Sequence, residues 1–206
     1  MDVTGSMGSF LTKAKDNLID IIERIMSKYP GISINLGFIG YRDVEEYSNG
    51  EYTDIDFTQN YTNLQEIIED IYAYGGGTDS SEDVAGAFEL ALNKTWKSNA
   101  RSAILVADAP CHGKNYHNNL DDNYPNEVPG RKSITDVVEE LANNNINLSC
   151  MKITEYTEKM FEMFKNIYKN HKNTDFNVKD MDSSEQKFVD FIVEYASKAY
   201  EEHRLG

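Results

Sequence analysis

The stretch Ala103-Ile-Leu-Val-Ala-Asp-Ala-Pro110 decides how the rest of the chain is read. Its five leading apolar residues follow one another without alternation, which suits a strand covered on both faces by helices. The run ends on a carboxylate, Asp108, and opens into a loop. Upstream, Ile32 to Ile39 is another such run and leads into Tyr41, Arg42 and Asp43; downstream, Ile146 to Ile153 is a third. Helical patterns lie between them. Phe10, Leu11, Ala14, Leu18, Ile21, Ile22, Ile25 and Met26 recur on one face of a helix that Pro30 and Gly31 stop. Further helices are expected over 64–72, 82–92, 134–142, 156–168 and 184–200, with Ser80 and Asp83 as the capping pair of the second. Tyr52 to Phe57 alternates and carries Asp54 and Asp56, as an exposed edge strand does, and a short strand is expected near 176–178. This order argues for a Rossmann-like, doubly wound α/β fold with a mainly parallel central sheet, one antiparallel edge strand and helices on both faces.

The 206 residues, 40% of them hydrophobic, suffice for one substantial core, so residues 1–206 are read as a single domain. Twenty basic against 35 acidic residues leave a formal charge of −15, which repels phosphate backbones and attracts cations and basic surfaces. Nucleic acid is therefore disfavoured as a partner. Two cysteines, Cys111 and Cys150, form neither a disulfide framework nor a zinc spacing. No run approaches the ~20 apolar residues that cross a bilayer, and no signal-peptide pattern opens the chain. The expected setting is cytoplasmic, away from membranes.

In open α/β sheets, ligands sit beyond the carboxyl ends of the strands. Three segments of the sequence would meet there: Asp2-Val-Thr-Gly-Ser6 before the first helix, Gly75-Gly-Gly-Thr-Asp79 before the third, and Asp108-Ala-Pro110 after a buried strand. Asp2, Thr4 and Ser6 stand at alternate positions around a turn that Gly5 permits, so one carboxylate and two hydroxyls can share a side. Short oxygen ligands of this kind suit a hard cation, foremost magnesium; manganese or calcium could take the same oxygens. Hydroxyls in place of carboxylates leave the ion under-neutralised, and it then favours an added anionic ligand such as a carboxylate from another protein.

These residues resemble the metal-ion-dependent adhesion site of von Willebrand factor A domains, written D-x-[ST]-x-S, then T, then D in three loops. Asp2, Thr4 and Ser6 match the first element, Thr78 the second and Asp108 the third. The resemblance implies that Ser6 and Thr4 or Thr78 touch the ion while Asp2 and Asp108 act largely through water. Asp79 could replace Thr78 or support the ligands from behind, and Asp43 could add a similar contact. Within the family, the chain is most similar to the A domains attached to alpha-type protein kinases, on Asp2-Val-Thr-Gly-Ser-Met7, Gly40-Tyr-Arg-Asp43, Gly75-Gly-Gly with Glu82-Asp-Val, and Ala107-Asp-Ala-Pro-Cys-His-Gly113. No kinase domain is present, so kinase activity does not carry over. The family enters its first motif through a buried central strand, but here Met1 alone precedes Asp2; that strand is absent, and a longer, multidomain natural chain is expected.

The resulting expectation is a binding module, not an enzyme, in which an acidic residue of a protein partner completes a magnesium ion's shell. The alternative is a metal-dependent hydrolase or phosphotransferase with Asp2 as nucleophile. Thr4 stands where such enzymes would need a second aspartate, and no phosphate-gripping loop is seen. Cys111, His112 and His117 offer a zinc set of no standard spacing; with Asp121 and Asp122 they are better read as shaping the surface around Asp108. Arg42 and Asp43 are candidates for a loop-holding ion pair, and Trp96 for a helix-end anchor.

Overall fold

In a computed structural model, which describes residues 1–45, 52–182 and 184–205, the run around Leu105 is a strand in the middle of the molecule. It belongs to a parallel sheet of β3 (Ser102–Ala107), β4 (Asn147–Lys152) and β5 (Phe176–Asp180), with Ser102 beside Asn147 and Ala107 beside Lys152. A second sheet pairs β1 (Leu36–Gly40) with the antiparallel edge strand β2 (Thr53–Thr58). The doubly wound, mainly parallel arrangement expected from the sequence is thus present, divided in two.

Period-2 alternation along the strands sends side chains to opposite faces, and each face is covered. Leu105, Ala107, Leu148 and Cys150 meet α3 (Val84–Leu92), α4 (Ile134–Asn143) and α5 (Glu158–Tyr168) through Phe88, Val138, Leu141, Phe161 and Phe164. Val106 and Met151 point the other way, onto Phe10, Ile21 and Ile25 of α1 (Gly8–Lys28) and Phe188 and Phe191 of α6 (Glu185–Leu205). The same face continues past β1, where Val3, Leu11, Leu64 and Ile68 join α1 to α2 (Tyr61–Glu69).

The division falls between β1 and β3, and residues 1–3 lie in it. The Asp2 amide donates to the Val106 carbonyl at 2.9 Å, the Val3 amide to Tyr41 at 2.9 Å, and the Tyr41 amide to Met1 at 3.1 Å. Asp2 and Tyr41 form a parallel bridge. These three residues run between β1 and β3, and they place Asp2 on one rim with Asp43 after β1 and Asp108 after β3.

Two local expectations are corrected. The strand starts at Leu36, not Ile32, because Ile32 and Ile34 pack against the core beneath α1 and α6 and do not pair. Asp83, not Ser80, caps α3: its side chain accepts from the Gly86 amide at 2.8 Å, while the Ser80 amide donates to the Asp121 carbonyl. Trp96 is the expected anchor, its indole N–H on the Ala91 carbonyl at 2.8 Å and its ring 4.6 Å from that of Phe57.

Candidate metal centre

After Val3 the chain turns through Thr4 into a short 3-10 turn, Gly5–Met7, that runs into α1. The turn gathers the oxygens anticipated from the sequence. Asp2 is wholly buried, and its Oδ1 accepts from the Thr4 amide at 2.8 Å and the Thr4 hydroxyl at 2.7 Å. The Thr4 and Ser6 hydroxyls lie 3.3 Å apart, and Ser6 is exposed. The other Asp2 oxygen, Oδ2, is buried without a hydrogen-bond donor. A carboxylate oxygen left dry in this way costs free energy unless a cation or a proton meets it.

Asp108, at the end of β3, lies near enough for its charge to be felt at Asp2. Burial is the main reason that the Asp2 carboxyl is pushed up to about 7; the two Thr4 hydrogen bonds pull it down and Asp108 raises it further. Two carboxylates with two hydroxyls fit a hard divalent cation, which would stabilise the ionised form that burial opposes. Thr154 donates its hydroxyl to the Asp108 carbonyl and so ties this loop to the end of β4.

The glycine segment joins the first loop to a second group of side chains. The Gly5 amide donates to the Gly75 carbonyl at 3.0 Å, and a Cβ on Gly76 would touch Thr4 Cβ at 3.8 Å. Gly77, at φ +67°, lies against Asp43, with the Asp43 Cγ 2.7 Å from where a Cβ would stand. Thr78 is exposed here: its hydroxyl donates to Glu45 at 2.7 Å and accepts from the Asn123 side chain at 2.8 Å. The structure therefore brings Asp2, Thr4 and Ser6 together, with Asp108 near enough to act on Asp2 by its charge, and links Thr78 to Glu45 and Asn123.

Asp79 and Asp43 belong to the second group, with His112 at its centre. His112 Nε2 lies 2.9 Å from Asp43 Oδ1, and Nδ1 lies 2.9 Å from Asp122 Oδ1 and 3.9 Å from Asp79 Oδ2. Burial opposes a charged imidazole, but the bonds to Asp43 and Asp122 prevail and raise its pKa. Asp122 is held below the usual carboxylate range despite burial, through His112, the Gly113 amide and His117. The Leu120 amide donates to His117 Nδ1, and His117 Nε2 lies 3.2 Å from Asp122 Oδ2. Asp79 is raised, chiefly by burial and in part by Asp43.

The zinc set of Cys111, His112 and His117 is not assembled. Cys111 is buried in the core, its thiol pushed up by burial and its amide on the Met160 sulfur. The structure pairs His112 with Asp43 instead, across 69 positions of sequence. Nothing in local spacing signals that pairing. Arg42 and Asp43 are both buried; Arg42 donates to the Tyr72 carbonyl and stacks on the Tyr74 ring, while Asp43 turns to His112.

No family model matches the chain. Over 148 residues, 71% of its length, it is 34% identical to alpha-protein kinase vwkA of Dictyostelium discoideum, of which the matched stretch is 23%. Among solved structures it is similar to the SpRpn10 VWA domain, with a TM-score of 0.58 and 12% identity over 93% of this chain and 89% of that one. The PilB minor pilin from Streptococcus sanguinis aligns with all of this chain and 60% of its own, with a TM-score of 0.59 and 8% identity. At such identities the structural likeness speaks for the fold alone. No described helix is long and apolar enough to cross a membrane.

Proposed function

From the chain's place among von Willebrand factor A domains, of the kind associated with alpha-type protein kinases, we propose that it holds a protein partner through a divalent cation, the partner's acidic side chain completing the coordination. The observation that carries this reading is the buried Asp2 carboxylate, with one oxygen bound to Thr4 and the other without a donor, beside the Ser6 hydroxyl and the charge of Asp108. Asp2, Thr4, Ser6 and Asp108 would hold the ion, with Thr78 reaching it from the glycine segment. When bound, the ion supplies a positive centre open to an outside anion. Ser6 is exposed, so a partner can approach from that side.

Magnesium is the cation that an all-oxygen set with hydroxyls favours, and manganese is its nearest substitute. A non-enzymatic role accords with the side chains at hand: the Asp2 carboxylate is buried and bonded to Thr4, and the Cys111 thiol is buried and hard to ionise. Residues 1–206 are read as one domain, since the clusters on both sheet faces share β3 and β4. Two buried free cysteines accord with a reducing, cytoplasmic setting.

Calorimetric titration of magnesium into wild type and Asp108→Ala tests the site, with clear weakening expected in the variant. A pull-down in magnesium and in EDTA tests the partner's mode of attachment. Equal recovery of the same partners in EDTA would overturn the reading, as would hydrolysis of phosphate or ester substrates that disappears in Asp2→Ala.

A further inference from the structure

We propose that Asp43, Asp79 and His112 form a second cation site, separate from the Asp2 group, that takes a borderline transition ion of the zinc class. Each of these residues offers one ligand atom, and the three atoms lie within 4.8 Å of one another. With metal–ligand bonds of ~2.0–2.2 Å, a small inward movement brings all three onto one ion. Hydrogen bonds distinguish the two places: the Asp2 carboxylate is held by Thr4, and the Asp43 carboxylate by His112 and the Val44 amide.

An independent feature also points to a ligand. Asp43 is wholly buried, and its Oδ2 has no hydrogen-bond partner even though Oδ1 meets His112 and the Val44 amide. Gly77 lets this carboxylate lie against its backbone, where a Cβ would meet the Asp43 Cγ at 2.7 Å. A buried, half-satisfied carboxylate is costly as it stands, and a divalent ion relieves that cost.

The histidine is also held as a metal ligand usually is. Asp122 takes one ring nitrogen, Nδ1, and is itself fixed by the Gly113 amide at 2.8 Å, the Tyr124 amide at 2.9 Å and His117 at 3.2 Å. A carboxylate on one imidazole nitrogen sets the ring's orientation and raises the basicity of the other, here Nε2. One imidazole with two carboxylates suits zinc better than magnesium, because nitrogen ligands favour the softer ion. The ion would tie Asp43 after β1, Asp79 of the glycine segment and the loop after β3 into one rim. Asp122 is then a positioning residue that acts through His112.

The whole chain, stripped with EDTA, is titrated with Zn2+ against a chromophoric chelator while the imidazole nitrogens are followed by NMR. One equivalent is expected to bind, with a shift in the His112 Nε2 resonance. Asp43→Asn and His112→Asn should weaken binding by about a hundredfold or more, and Asp122→Asn by about 10–100-fold. Thr4→Ala and Ser6→Ala should leave it unchanged, while impairing the magnesium-dependent partner binding proposed above. The proposal is overturned if wild type binds no Zn2+, if the His112 resonance does not respond, or if Thr4→Ala abolishes binding. Should His112→Asn fail to fold, the wild-type resonance and Asp122→Asn decide the matter.

Discussion

Replacing Gly77 by alanine places a methyl group where the Asp43 side chain already stands. The backbone there has φ +67°, a conformation that costs a residue with a Cβ about 1–2 kcal/mol. The Asp43 Cγ and Cβ would lie 2.7 and 2.9 Å from the new carbon, so the whole side chain must move, not merely its tip. Displacing it breaks the bond to His112 Nε2, a charge-assisted contact worth about 1.5–3 kcal/mol. Together these effects remove about 2.5–5 kcal/mol, a large share of the ~5–15 kcal/mol that stabilises a typical domain. Gly31 supplies an internal control: its φ is +85°, yet nothing lies within 4 Å of a Cβ built on it. Gly31→Ala should therefore cost only the backbone part, about 1–2 kcal/mol. Urea unfolding of both variants in EDTA, compared at equal m-values, isolates the steric part. If Gly77→Ala lost no more stability than Gly31→Ala, the packing of the glycine segment on Asp43 would be refuted.

Further outcomes follow from the same contacts. The Asp2 carboxyl has a folded pKa of about 7, above its ordinary 3.8, so its contribution to stability is complete below pH ~4 and is lost as pH rises through about 7. Metal-free wild type should lose stability across that window relative to Asp2→Asn, and saturating magnesium should flatten the loss; identical profiles in EDTA would speak against the buried carboxylate. Phe164 is fully buried, with Phe88, Phe161 and Phe176 around its ring, so Phe164→Ala should cost about 3–5 kcal/mol in denaturant melts. Tyr168→Phe strands the buried Ile146 carbonyl that the hydroxyl meets at 2.9 Å, and a loss of about 1–3 kcal/mol is expected by the same method.

Much of the architecture was legible because burial imposes periodicity. The helical spacing from Phe10 to Ile25 became α1, and the unbroken run ending on Asp108 became β3 with both faces covered. Boundaries were less legible. Ile32 and Ile34 have the composition of a strand yet serve as core contacts, and Ser80 has a capping sequence yet Asp83 does the capping. The Asp2, Thr4 and Ser6 group could be read because its members are neighbours in sequence. The Asp43, His112 and Asp122 chain of contacts could not, since Asp43 meets a histidine 69 positions away that only the folded loops bring near.

The gap bridged by residues 1–3 also bears on how the protein behaves in concentrated solution. Beyond those residues, the facing edges of β1 and β3 have no strand between them among the described residues. Open amide and carbonyl rows of this sort recruit whatever extended peptide is nearby. An extended apolar peptide offered in trans would add to such edges and raise the melting temperature, and the charge of −15 opposes pairing of edges between copies more weakly as salt is added.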